Sequence, residues 1–314
     1  MKKILLLDII HETLPAKFEE AGFVCDIKKV ECSNDLKKIA AGYIGIIVRN
    51  TPLITKDIID SADSLKFIAR AGSGLENIDC EYAIQKGITI INSPEGNRDA
   101  VGEHCVGLVI SLLKKICYSF QEIKAGFWQR EHNRGNELMG KTIGIIGYGN
   151  TGSAFAKKLS GFDVNILSYD KYKTNFGNEH VKEVTLEYLY NNAQIVSFHV
   201  PLTEETTYYA NSDFFKKFAE PIILINTSRG KVVCLSDLVD AMKKNTVIAA
   251  GLDVIEYEKY NYEQLDDNSK ENLQYLFTSN NVIITPHIAG ITHEAKLRHA
   301  IVLFEKISEV TKKL

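Results

Sequence analysis

The sequence predicts an α/β protein made of two doubly wound parallel-sheet domains. Three observations predict it. The chain has 314 residues, of which 45% are apolar, enough for two domains of ordinary size with substantial cores. Short apolar runs rich in Ile, Val and Leu recur along both halves, separated by segments of helical period. In the second half, polar or ionisable residues follow these runs one after another. That is expected where the strands of an open parallel sheet end in a binding crevice.

The first half reads as strand and helix in alternation. Residues 3–7 form a strand, since the apolar run is too short for a signal peptide and Asp8 ends it. Residues 15–21 form a helix that stops at Gly22. Strands follow at 23–30, 44–48, 65–69 and 88–91. A long helix is expected from Asp99 to about Ala125. Glu103, His104, Lys114 and Lys115 interrupt its apolar stretch, which argues for a buried helix and against a membrane span. A polar loop at 126–139 carries the single tryptophan, Trp128, expected to act as a packing anchor.

A second alternating series has strands at 142–146, 165–169, 194–199, 222–226, 247–251 and 282–285. Residues 257–281 read as a polar loop with a short helix, and 294–313 as a final helix. The formal net charge of -3 gives no sign of a nucleic-acid binder, and no such partner is expected. The six cysteines form no C-x-x-C pair and no histidines stand at zinc spacing, so no metal site is expected. Such thiols suit a reduced, cytoplasmic setting.

The most informative segment runs from Lys141 to Gly152. It gives a buried strand, a G-x-G-x-x-G turn and an amphipathic helix. Gly147 permits the tight turn, Gly149 lets the backbone approach a pyrophosphate, and Gly152 lets the helix pack close to the strand. Asp170 stands eighteen residues beyond Gly152, at the end of the next strand. A carboxylate there accepts bonds from ribose hydroxyls and repels a 2′-phosphate, which favours NAD over NADP, although Lys171 and Lys173 follow closely. Later strand ends bring His199, the run Asn226-Thr227-Ser228-Arg229-Gly230, Asp253 and His287 to the same rim. Arg229 offers a planar fork of donors for a carboxylate. His287 suits a general acid or base. A carboxylate beside it would stabilise its protonated form.

These motifs resemble those of the D-2-hydroxyacid dehydrogenase family over nearly the whole chain. The matching stretches are Arg70 to Gly74 with Asn77 to Asp79, Glu95 to Glu103, the glycine loop, His199 to Thr203, Ile225 to Gly230, Gly251 to Glu258 and Pro286 to Gly290. The resemblance implies a Rossmann NAD-binding domain, residues 99–287, inserted into a flavodoxin-like substrate domain of residues 1–98 and 288–314. It implies catalytic roles for Arg229, Glu258 and His287. Glu256 is a nearby rival, but the family's carboxylate stands five positions after the Asp, which selects Glu258. It assigns the cofactor to Gly147, Gly149, Asn150, Thr151, Gly152 and Asp170. Further along, it adds His199, Val200, Pro201, Thr206, Asn226, Thr227, Ser228, Asp253 and Gly290. Asp253 is expected beside the nicotinamide. Backbone N–H groups around Gly72, Ser73 and Gly74 are expected to hold the substrate carboxylate. The helix after Asp99 resembles the family's homodimerisation element, with Trp128 buried at a subunit interface. Lys259, where many members have proline, and Ala289, where glycine is common, are departures.

Within the family, Arg49 and Arg130 resemble arginines that face the substrate's phosphate in phosphoglycerate dehydrogenases. This implies a short-form D-3-phosphoglycerate dehydrogenase of serine biosynthesis, without a regulatory C-terminal domain. The alternatives are a glyoxylate or hydroxypyruvate reductase, a D-lactate-type enzyme, or an NAD-binding corepressor without turnover.

Overall fold

A computed structural model describes residues 2–8, 10–30, 32–258 and 270–312. The chain divides into a unit of Met1–Arg98 with Ile291–Leu314 and a unit of Asp99–Gly290.

In the first unit, strands β1 (Lys3–Leu6), β2 (Val24–Ile27), β3 (Gly45–Val48), β4 (Phe67–Arg70) and β5 (Thr89–Asn92) form a parallel sheet in the order β2-β1-β3-β4-β5. Its helices are α1 (Thr13–Glu20), α2 (Ser33–Ile39), α3 (Lys56–Ser61), α4 (Cys80–Gln85) and the chain-terminal α12 (His293–Thr311). The central strands are buried on both faces, and this is why they read as unbroken apolar runs. Leu5, Ile46, Val48 and Ile68 pack with Leu36 and Ile58 on one side. Ile4, Leu6, Ile47 and Phe67 pack with Phe18, Leu303 and Ile307 on the other. Side chains that alternate along a strand thus serve two cores. Helix α12 is further tied to the unit by polar bonds. His299 Nδ1 meets Ser93 Oγ at 2.7 Å, and Lys306 Nζ donates to Glu95 Oε2 at 2.8 Å and to the Asn92 carbonyl at 3.0 Å.

The second unit carries strands β6 (Thr142–Ile146), β7 (Asn165–Tyr169), β8 (Val181–Glu183), β9 (Ile195–Phe198), β10 (Ile222–Asn226), β11 (Val247–Leu252) and β12 (Val282–Ile284). All are parallel, in the order β12-β11-β10-β9-β6-β7-β8. Strand β6 pairs with β7 on one side and β9 on the other, so the order reverses there. A crevice opens at such a switch point, outside the carboxyl ends of the strands. Helices α5 (Pro94–Leu113), α6 (Ile116–Lys124), α7 (Asn150–Leu159), α8 (Leu186–Asn192), α9 (Ser212–Phe215), α10 (Leu235–Lys243) and α11 (Lys270–Thr278) complete the chain order.

Four expectations change. The single helix at 99–125 is two helices, and the first starts at Pro94, whose fixed φ suits a first helical turn. They break at Lys115, which adopts left-handed backbone with φ 53°. Strand β8 is an addition: only three residues long, with only Val181 buried, it carries almost no apolar pattern. The strand expected at 23–30 pairs only over Val24–Ile27. The later domain junction falls after Gly290 instead of after His287, because the N–H groups of Ile288 and Ala289 bind Asp253 in the second unit. Residues 259–269 of the expected polar loop, including Lys259, lie outside the described residues. Among the described residues no helix is long and apolar enough to cross a membrane, and no cluster of metal-ligating side chains occurs.

Candidate active site

The glycine loop follows β6 and leads into α7. Gly147 has φ +95°, and a Cβ there would stand 2.5 Å from the His199 carbonyl. A Cβ on Gly152 would stand 2.1 Å from the Gly147 carbonyl oxygen. The fold itself therefore demands both glycines. Gly149 differs: its φ is -85° and nothing lies within 4 Å of its would-be Cβ. Neither strain nor crowding within the chain explains this glycine. Close approach of a ligand backbone does, as a pyrophosphate requires. No side chain caps α7, so the first-turn N–H groups at Asn150, Thr151 and Gly152 face that space. These residues fit NAD.

Asp170 follows β7. Its carboxylate accepts the backbone N–H of Tyr148 at 2.7 Å, of Tyr172 at 2.9 Å and of Lys173 at 3.0 Å. These bonds aim it back over the glycine loop. His199 follows β9 and is buried between Ser197 Oγ, 2.9 Å from Nε2, and Thr151 Oγ1, 3.2 Å from Nδ1. Burial pushes its imidazole down to about 3, so it is neutral and braces the loop. Val200 packs beside Gly147. Pro201 and Thr206 shape the next turn, where Thr206 Oγ1 donates to the Pro201 carbonyl at 2.6 Å.

The turn after β10 presents Arg229. Asn226 is fully buried and braces this turn: its Nδ2 donates to the Arg229 carbonyl at 3.0 Å, and its Oδ1 accepts Ser228 N at 3.1 Å and Ser228 Oγ at 2.8 Å. Thr227 Oγ1 meets Cys105 Sγ at 3.2 Å, and burial pushes that thiol up to about 12. The polar atoms of Asn226 and Ser228 thus bond to one another and position the turn. Gly230 lies so close to Ile255 that a Cβ would come within 2.0 Å of its carbonyl oxygen. The Arg229 turn is thereby seated against the segment that leads to Glu258.

His287 Nδ1 lies 2.7 Å from Glu258 Oε2, with side chains 23% and 14% exposed. The other Glu258 oxygen accepts the Ile255 N–H at 2.5 Å. Glu256 instead lies 3.4 Å from the Leu235 N–H, so the geometry pairs Glu258 with the histidine. His287 has φ 56°, an uncommon backbone for a side-chain-bearing residue. Asp253 holds it there. Its carbonyl accepts the His287 N–H at 2.8 Å, and its buried carboxylate accepts the N–H groups of Ile288 and Ala289, just before Gly290, at 2.9 and 2.8 Å. Asp253 therefore orients the histidine loop. Two residues missed in the sequence complete this arrangement. Thr285 Oγ1 donates to Asp253 Oδ1 at 2.5 Å and meets His104 Nε2 at 3.0 Å. The only signal for His104 was a histidine within an apolar helix.

In the first unit, buried Arg70 organises the loops. It donates to the carbonyls of Arg49 and Gly74 at 3.1 and 2.8 Å and to Asn50 Oδ1 at 3.2 Å. Asn92 Nδ2 donates to the Ser73 carbonyl at 2.7 Å. The N–H groups of Ser73 and Gly74 have no acceptor among the described residues. Gly72 departs from expectation, since its N–H donates to the Arg70 carbonyl at 3.0 Å and to Ser93 Oγ at 3.2 Å. Arg49 stands 3.9 Å from Asp8 Oδ2, both 42% exposed. Arg130 is exposed, and so is Trp128, at 80%.

Residues 106–289 match the family described as D-isomer specific 2-hydroxyacid dehydrogenase, NAD binding domain. The chain is 36% identical over 304 residues to a hydroxypyruvate reductase of Thermotoga maritima, covering 95% of this chain and 96% of that protein. It is 33% identical over 314 residues to a D-3-phosphoglycerate dehydrogenase of Archaeoglobus fulgidus, covering 99% of this chain but only 58% of that longer relative. A crystal structure of D-lactate dehydrogenase from Aquifex aeolicus, complexed with NAD and lactic acid, is similar with a TM-score of 0.83 and 26% identity, over 99% of this chain and 96% of that one. With its glycine loop, its Rossmann strand order and the histidine–glutamate pair at the rim, the chain belongs to the D-isomer specific 2-hydroxyacid dehydrogenases, a family of NAD-dependent oxidoreductases.

Proposed function

We propose that this chain transfers a hydride between NAD and C2 of a D-2-hydroxy acid, using Arg229, Glu258 and His287. The observation that carries the reading is the 2.7 Å contact of His287 Nδ1 with Glu258. That contact favours the tautomer with the proton on Nδ1, so the basic lone pair lies on Nε2. In oxidation, His287 takes the substrate's hydroxyl proton on Nε2 as the C2–O bond becomes a carbonyl, and Glu258 stabilises the imidazolium. When bound, NAD accepts the hydride that leaves C2. Arg229 pairs with the substrate carboxylate and polarises the carbonyl oxygen. We assign the N–H groups of Ser73 and Gly74 to binding the substrate's anionic end.

For the substrate we infer D-3-phosphoglycerate. Supporting this, the Arg49 guanidinium pairs among the described residues with Asp8 at a long 3.9 Å, both half-exposed, and a phosphate dianion outcompetes such a pairing. A second reading, reduction of hydroxypyruvate or glyoxylate, is favoured by the 36% identity to a hydroxypyruvate reductase over nearly all of both chains. NADH oxidation with 3-phosphohydroxypyruvate, hydroxypyruvate, glyoxylate and pyruvate separates them, with Arg229→Ala as an inactive control. Under the first reading the phosphorylated acid is preferred, and Arg49→Gln raises its KM alone. Preference for an unphosphorylated acid overturns the substrate and leaves the chemistry standing.

We also propose a cytoplasmic homodimer. Ile116, Phe120 and Ile123 lie on one exposed face of α6, and Phe127 and Trp128 follow it, all at least 48% exposed. Such a face suits a second copy of the chain. Sedimentation of the chain and of a Phe120→Glu variant tests this, with a monomeric wild type as the adverse result. The six unpaired cysteines support the cytoplasmic setting.

A further inference from the structure

Two lysines directly follow the ribose-facing carboxylate, a pattern that would suit a 2′-phosphate as well as a plain ribose. Lys171 and Lys173 come one and three residues after Asp170, at the carboxyl end of β7. A free cation there is what recognition of a phosphorylated ribose requires. Both ammonium groups are already engaged. Lys173 Nζ donates to the Tyr148 carbonyl at 3.0 Å. Lys171 Nζ forms a short ion pair with Glu205 Oε1, and the other Glu205 oxygen accepts the Tyr172 hydroxyl at 2.6 Å. One carboxylate thus bridges the two residues that follow Asp170.

Glu205 comes from a different strand end, in the turn after β9. That turn is braced from within: Thr206 Oγ1 accepts the Thr203 N–H at 2.8 Å, and Thr207 Oγ1 donates to the Thr203 carbonyl at 2.7 Å. Its backbone is therefore supported where the carboxylate meets Lys171. The hydrogen bond to Lys171 holds the Glu205 carboxyl below its usual range, and the same bond holds the Lys171 ammonium above its own. The formal charges of Asp170, Lys171, Lys173 and Glu205 cancel, so removing Glu205 leaves the group net positive.

We propose that Glu205 is a specificity-determining residue, which makes the pocket reject a 2′-phosphorylated ribose by neutralising Lys171. Asp170 alone leaves an adjacent lysine to offset it, whereas Asp170 with Glu205 does not. An exposed ion pair adds little to stability, so a variant should fold normally. A 2′-phosphate dianion within a Debye length should nonetheless sense the lost negative charge.

The test is calorimetric titration of the full chain with ADP-ribose and with 2′-phospho-ADP-ribose, which needs no turnover. Glu205→Gln should tighten binding of the 2′-phosphorylated ligand roughly three- to tenfold and change that of ADP-ribose by less than about twofold. Adding Lys171→Gln should abolish the gain, and high salt should shrink it. An unchanged ratio between the two ligands in Glu205→Gln would overturn the proposal. So would equal tightening of both, because Glu205 would then act on the shared diphosphate. A gain that survives Lys171→Gln would also sink it.

Discussion

The two sheets have the same parallel architecture, yet they build their rims by opposite means. At the seven-stranded sheet, acidic and amide side chains hold the working groups. Asp253 fixes the backbone around His287, Asn226 fixes the turn that carries Arg229, and Glu258 fixes the imidazole. At the five-stranded sheet a buried cation, Arg70, collects backbone carbonyls from two loops, and the Ser73 and Gly74 N–H groups meet no acceptor among the described residues. The first rim presents side-chain acid–base chemistry and the second presents backbone donors. A carboxylate network orients an imidazole, whereas a buried guanidinium shapes a peptide loop whose N–H groups point away from it.

The comparison breaks most sharply at the imidazole. His287→Ala should lower kcat by about a thousandfold or more, and Glu258→Gln by about a hundredfold, in NADH-oxidation assays, with thermal stability nearly unchanged. Comparable losses for both variants would mean that the pair acts as one unit. At the other rim, Arg70→Lys keeps the charge but loses the fork. It should cost about 2–4 kcal/mol in denaturant unfolding and raise KM more than it lowers kcat. A fall in kcat with unchanged KM would contradict the receptor role.

Buried histidines sharpen the contrast in acid. Burial pushes His299 down to about 4, whereas in the unfolded chain it titrates near 6.5. As pH falls through that window the unfolded chain binds a proton that the folded one refuses, so stability is lost with acidification. His299→Asn, which can keep the bond to Ser93, should remove about 2 kcal/mol of the loss between pH 7 and pH 5, read from denaturant midpoints. An unchanged pH slope would show that His299 is not the group responsible. The smallest effect is expected at Gly149. Gly149→Ala should leave the melting temperature unchanged and weaken NAD binding by about tenfold, or about 1.4 kcal/mol. Gly152→Ala should destabilise the unit itself, since its Cβ would meet the Gly147 carbonyl oxygen. Equal melting curves for the two would remove the distinction between a ligand-required and a fold-required glycine.

The sequence by itself determined the alternation of strand and helix, the glycine loop, Asp170 at the end of the next strand, and the gathering of arginine and histidine at one rim. These are legible because apolar periodicity and glycine spacing are local signals, and a parallel sheet puts the residues after its strands along one edge. The break at Lys115 and the short strand β8 were not legible: one is a single left-handed residue in an apolar run, the other a pairing with little burial of its own. Only the tertiary structure decided that Asp253 and Asn226 brace loops, that Glu256 turns to the Leu235 N–H, that His104 and Thr285 join Asp253, that Arg70 gathers loop carbonyls and that Glu205 meets Lys171. Each of these depends on a hydrogen-bond partner brought near by strand order or turn geometry, and such partners leave no periodic trace in the chain.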